Sequence, residues 1–120
     1  MLSSEEREAI IKDAVRYLAG DTDEDAENAY FEILDGPDAE TSWSLICEVA
    51  NRSRDVAAPS DLGAGLLESF IIRYGSTHAG LIADGVIGNA RLIAAMPSVR
   101  GLHRHPALVA LLPIGLDGEN

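Results

Sequence analysis

Nine carboxylates stand between residues 21 and 40 with no lysine or arginine among them: Asp21, Asp23, Glu24, Asp25, Glu27, Glu32, Asp35, Asp38 and Glu40. Two kinds of chemistry use such a run. Oxygen ligands spaced along a loop hold a hard cation, and a broad negative field attracts a basic macromolecule. The cation reading has a partial match, with Asp21, Asp23 and Asp25 at positions 1, 3 and 5 of a calcium-loop count and Glu32 at position 12. Position 6 requires glycine for the sharp turn and holds Ala26 instead. Ala26, Ala29 and Tyr30 also set a helical period over the same residues, and a helix cannot wrap a calcium ion. The expectation is no bound metal, and a face open to a basic partner.

The other reactive side chains do not assemble a reaction centre from spacing alone. The single cysteine, Cys47, lies on an apolar helical stripe and reads as a buried thiol. One cysteine supplies neither an internal disulfide nor a Cys-based zinc site. His103 and His105 sit two apart with no neighbouring acid, and His78 is distant in sequence. Glu68 and His78 form an acid–base pair only if folding joins them. The glycines of Gly63-Ala64-Gly65 are followed by no lysine or arginine that would suit a phosphate loop. An enzyme and a cofactor are therefore not expected.

These residues must be positioned by helices. Ser3 or Ser4 caps the first, with Ser3 and Glu6 in capping-box spacing, and Ile10, Ile11, Ala14, Val15 and Leu18 form its apolar stripe. Gly20 stops it, and Asp21 or Thr22 opens a second helix carrying Ala26, Ala29, Tyr30, Ile33 and Leu34 until Gly36-Pro37. Asp38 starts a third, with Trp43, Ile46, Cys47 and Ala50. A polar connection over Asn51–Ser60 leads to a fourth helix, apolar nearly all round, from Pro59-Ser60-Asp61 to Gly75. A fifth begins at Thr77. A sixth runs from about Asn89 to Met96 and is halted by Pro97. A last short helix follows His105, with Pro106 in its first turn. No stretch alternates with the period of a strand. The expected fold is all-α, an irregular bundle or short stack of about six or seven short helices, in one domain over residues 1–120 with an irregular tail at 113–120.

Two glycines inside the fourth helix cost about 1 kcal/mol each relative to alanine, so something must offset them. Close approach of another helix does so. Glu68 shares a helical face with Ala64 and Gly65, and a carboxylate on a mostly buried helix needs a partner, with Arg91 and Arg73 the candidates. Trp43 is a candidate cover for the same face. The pattern Trp43-x-x-Ile46, then Asp61-Leu62-Gly63-Ala64-Gly65-Leu66-Leu67-Glu68, then Ile71 and Tyr74-Gly75, resembles a family of small all-helical bacterial domains of unknown function over roughly residues 25–100. In that family a tryptophan precedes a Gly-Ala-Gly-(Pro/Leu)-Leu-Glu helix and a His-Gly or Tyr-Gly turn. The resemblance implies a helical fold and brings no catalytic residues. It marks Trp43, Gly63, Gly65, Glu68 and Arg91 as either a shared site or a shared packing motif.

The chain carries 120 residues with 20 acids and 9 bases, a net charge of −11. Residues 1–40 hold thirteen acids and three bases, so nearly all of that charge lies in the first third. Such a balance excludes a simple nucleic-acid backbone binder. Asp23, Glu24, Asp25 and Glu27 suit the positive start of the second helix, but Glu32 and Asp35 lie toward its negative end. The bland reading is a solvated face. The sharper one is a surface, centred on Asp23, Glu24, Glu27, Glu32 and Asp35, that inhibits or sequesters a basic protein, as an immunity protein does to a bacterial toxin. The alternative is a small structural or adaptor domain that self-associates or binds through an apolar end at Leu108, Leu111, Leu112, Ile114 and Leu116. The polar, acidic start at Met1-Leu2-Ser3-Ser4-Glu5-Glu6 carries no export signal, and no apolar run reaches membrane-spanning length, so a cytoplasmic protein is expected.

Overall fold

The computed structural model describes residues 2–36, 38–53 and 58–113; they are predominantly helical, with no strand among them. Local capping chemistry sets most of the starts. Ser3 Oγ accepts from the Glu6 N–H at 3.1 Å while Glu6 accepts from the Ser3 N–H, a complete capping box for α1 (Ser4–Leu18). Asp23, rather than Asp21 or Thr22, caps α2 (Glu24–Leu34), accepting from the Ala26 N–H at 2.8 Å. Asp38 caps α3 (Ala39–Arg52) through the Thr41 N–H at 2.7 Å. The chain separates into two units, Met1–Ala57 and Ala58–Asn120.

In the first unit, α1 packs on α2 and α3. Ile10, Ile11 and Ala14 of α1 meet Ala26, Ala29 and Ile33 of α2 and Leu45, Ile46 and Val49 of α3 as its buried apolar set. Trp43 is buried as well. The α2 contribution is small in volume because two of its three buried residues are alanine, so α1 and α2 approach closely. Arg7 donates to Ser44 Oγ at 2.8 Å and Arg52 forks onto Glu8, tying α1 to α3 at the surface.

In the second unit, α4 (Pro59–Leu62), a π-helical turn (Gly63–Leu67) and α5 (Glu68–Tyr74) run as one helical stretch, since Leu62, Leu67 and Glu68 keep right-handed helical dihedrals. The Glu68 N–H reaches back to the Gly63 carbonyl, five residues earlier, which is the bond that defines a π turn. Helix α6 (Ala79–Ile87) has His78 as its N-cap, one residue beyond the Thr77 expected, with no capping hydrogen bond from that side chain. Asn89 caps α7 (Ala90–Ala95), accepting from the Arg91 and Leu92 N–H groups at 3.0 and 3.3 Å. The α-helix ends at Ala95, just before Pro97, as expected. Pro97 itself sits in a 3₁₀ turn, Met96–Ser98, that follows α7, and the stretches Ala79–Ile87 and Ala90–Ser98 meet at a bend of 106°. A second 3₁₀ turn, Leu102–Arg104, leads to α8 (Pro106–Leu111), with proline in its first turn.

Counting the α4–π–α5 run once, the described residues form seven helices, in agreement with the expected all-α class. None is long and apolar enough to cross a membrane. Leu108 and Leu112 of the apolar end are buried and Leu111 is half exposed, while Ile114, Leu116 and most of the expected tail lie outside the described residues.

Candidate functional site

Arg16, near the end of α1, gathers three carboxylates, two of them from the acidic run. It reaches Asp13 at 2.6 Å and Asp21 at 3.1 Å, and pairs with Asp23. Asp21 also accepts from the Asp23 N–H at 3.1 Å, and that bond, then Arg16, holds its carboxyl below the usual carboxylate range. These groups have a structural task, fixing the α1–α2 turn and the start of α2. That accounts for two of the four residues in the calcium-loop count. The other two, Asp25 and Glu32, lie on a continuous helix.

The remaining acids behave differently. Among the described residues no ion pair or hydrogen bond engages the side chains of Glu24, Asp25, Glu27, Glu32 or Asp35, and all five are exposed. With Ala26, Ala29 and Ile33 turned inward, a period of 3.6 residues spreads them over the opposite side of α2. Asp25 and Glu32 border a groove between α1 and α2 of about 340 Å³, and α1 supplies Glu6 and Asp13 to the same groove. The acidic face thus runs from the groove along the outer stripe of α2 to Asp35 at its C-terminus. Of the five residues expected to bind a partner, Glu24, Glu27, Glu32 and Asp35 lie on it; Asp23 is instead spent as the cap and on Arg16.

An aromatic cluster interrupts this face. Phe31 is 46% exposed on the same outer stripe, and its ring lies 5.5 Å from Tyr30 and 6.5 Å from Tyr17, which are 4.6 Å from each other. Burial, then Tyr17, raises the Tyr30 phenol above its ordinary pKa, so it stays neutral.

The glycine motif occupies the second unit. A methyl group at Gly63 would lie 2.1 Å from the Ala95 carbonyl oxygen and 2.9 Å from Ser98 Cβ. The glycine therefore offsets its helical cost by letting the end of α7 close onto the π turn. Glu68 does not pair with Arg91 or Arg73. Its partner is Arg100: Glu68 Oε1 accepts from the Arg100 backbone N–H at 2.7 Å and from Nε at 3.2 Å, and Oε2 accepts from Nη2 at 3.3 Å. Burial pushes the Glu68 carboxyl up, the Arg100 bonds pull it down, and the net is below the usual range. Arg73 lies against the Tyr74 ring at 5.1 Å, and Arg91 is half-buried in the first turn of α7. Gly65 is half-buried in the π turn. Trp43 belongs to α3 in the first unit.

No family model, curated protein or solved structure matches this chain. The chemistry must be read from the residues themselves. Burial, then Glu48, pushes the Cys47 thiol up to about 11, which leaves it protonated and a poor nucleophile at neutral pH. His78 Nδ1 is 2.9 Å from Thr77 Oγ1 and its ring meets Tyr74 edge-on, while Glu68 is bound to Arg100. Sequence reasoning missed Glu6, Asp13 and Asp25 as members of the acidic face. The signal available was the stripe of α1, which turns Ile10 toward the same side as Glu6 and Asp13.

Proposed function

We propose that this protein is an acidic binding domain that inhibits or sequesters a basic protein, with the α1–α2 face as its contact surface. The observation that carries the reading is the set of five exposed carboxylates, from Glu24 to Asp35, left without basic partners while Arg16 is committed to their neighbours. Charge serving solubility alone is usually interspersed with the opposite sign. Here the pairs Glu24/Glu27 and Glu32/Asp35 sit at repulsive helical spacing, and Asp35 caps the negative end of the helix dipole. Glu32 and Asp35 thus stand against the stability of their own helix, as expected of a surface kept for something else.

The setting that suits such a domain is neutralisation of a basic toxin or nuclease in the cytoplasm, as an immunity protein acts. Negative side chains would occupy the surface that the partner uses for an anionic substrate. Association would be fast and strongly dependent on salt. The test is capture of partners from host lysate at low and high salt, with the wild-type protein and with a variant carrying Glu24→Gln, Glu27→Gln, Glu32→Gln and Asp35→Asn. One stoichiometric basic protein, held by the wild type at low salt and by neither protein at high salt, is the expected result. Equal retention by the variant would overturn the reading.

A further inference from the structure

The second unit holds a feature of opposite sign. A cleft of about 470 Å³ is lined by Glu68 and Ile72 of α5 and by Arg100, Gly101, His103, Arg104 and His105 of the turn before α8. In a chain of net charge −11, this turn supplies two arginines and two histidines to one concavity. Its one carboxylate, Glu68, is already held by Arg100.

The turn is fixed at both ends. At its start, Glu68 grips the Arg100 backbone and side chain together. Gly101 then takes the left-handed conformation, φ 76°, which lets the chain fold back. Leu102 is fully buried beneath. At its end, His105 fits where Gly75 has no side chain, since a methyl group there would lie 2.6 Å from His105 Nδ1, and Ser76 Oγ is 3.2 Å from the same nitrogen. The basic groups are thus carried by a frame that does not have to be ordered on binding.

Donors remain for a ligand. Arg100 spends Nε and Nη2 on Glu68, and its Nη1 amino group makes no hydrogen bond among the described residues. The side chains of His103 and Arg104 make no hydrogen bond or ion pair there either, and both are exposed at the rim. Ile72, 66% exposed, is the apolar wall. Guanidinium forks and imidazoles converging beside an apolar surface match a phosphate group attached to a compact apolar body. We infer that this cleft is an oxyanion site that binds a small phosphate monoester, Arg104 and Arg100 gripping the phosphate and Ile72 contacting the esterified group. The inference is independent of the acidic face.

The experiment is a titration of the full chain at pH 7 and constant ionic strength, following backbone amide and histidine ring signals by NMR. The probes are inorganic phosphate and phenyl phosphate, with sodium chloride as the control. Saturable shifts confined to residues 68–76 and 99–106 are expected with both phosphates, with phenyl phosphate the tighter. Arg104→Gln, at an exposed position, should weaken both by about tenfold with an unchanged spectrum elsewhere. Ile72→Ser should remove the advantage of phenyl phosphate and leave inorganic phosphate unaffected. Shifts that sodium chloride reproduces, shifts that do not saturate, or an unchanged affinity in Arg104→Gln would each overturn the proposal. Equal binding of the two phosphates by the wild type would overturn the ester assignment.

Discussion

Single residues in this chain carry opposite signs of the same physics. Gly63 and Gly80 are both helical glycines, yet an added methyl at Gly63 meets the Ala95 backbone while one at Gly80 meets nothing within 4 Å. Gly63→Ala should therefore lower stability by about 1–3 kcal/mol through overpacking, and Gly80→Ala should raise it by about 0.4–1 kcal/mol. Urea unfolding of the two variants gives both numbers. Glu68 adds a pH signature. Its carboxyl titrates below the ordinary value of 4.5 in the folded chain, so its contribution is complete above that value and disappears as pH falls through the folded pKa. Glu68→Gln should flatten the acid limb of the stability curve and leave its slope at neutral pH unchanged. Cys47 supplies a third check. With its thiol raised to about 11, alkylation by iodoacetamide at pH 8 should run on the order of a hundredfold slower than for free cysteine, and unfolding should restore the normal rate.

Elements differ in how much of themselves they show in advance. The cap at Ser3, the helix starts at Asp38 and near Asn89 and the proline in the first turn of α8 are legible because helix starts are settled within three or four residues. The buried stripe of α2 was legible for the same reason. The partner of Glu68 was not, because Arg100 lies 32 residues away, beyond Pro97, in a turn that no periodicity marks. Arg91 and Arg73 were the natural candidates because helices position side chains by rule and turns do not. Asp23 was drawn into the binding set because its charge is visible in sequence, while its capture by Arg16 depends on α1 and α2 folding back on each other. The acidic helix yields its own prediction. Neutralising Glu32 and Asp35, with the favourably placed Glu24 and Glu27 left as they are, should raise the thermal midpoint by a few degrees while it weakens partner capture, because their mutual repulsion and an adverse dipole are removed together. A lowered midpoint would show that these carboxylates stabilise the fold.

At the scale of the whole molecule, charge is divided unequally. Residues 1–57 carry fifteen acids and five bases, and residues 58–120 carry five and four. Self-repulsion should therefore be a property of the first unit. Raising sodium chloride from low concentration to 0.2 M, a Debye length of under about 10 Å, should increase hydrogen-exchange protection in α1 and α2 more than in α6 and α8. Uniform gains across both units would contradict that assignment. The boundary between the two units, after Ala57, falls within the polar connection read at Asn51–Ser60.

The π turn at Gly63–Leu67 has a consequence for counting. A π turn holds one residue more than the α-helical turn it replaces. A chain one residue shorter between Leu62 and Glu68 would close a regular α-helix there and still present its glutamate to the same arginine. Deletion of Ala64, which is exposed, should accordingly be better tolerated than deletion of any residue inside α5. Relatives of this protein are then to be sought by the pairing of a helix glutamate with a turn arginine, with the glycine spacing before the glutamate allowed to differ by one.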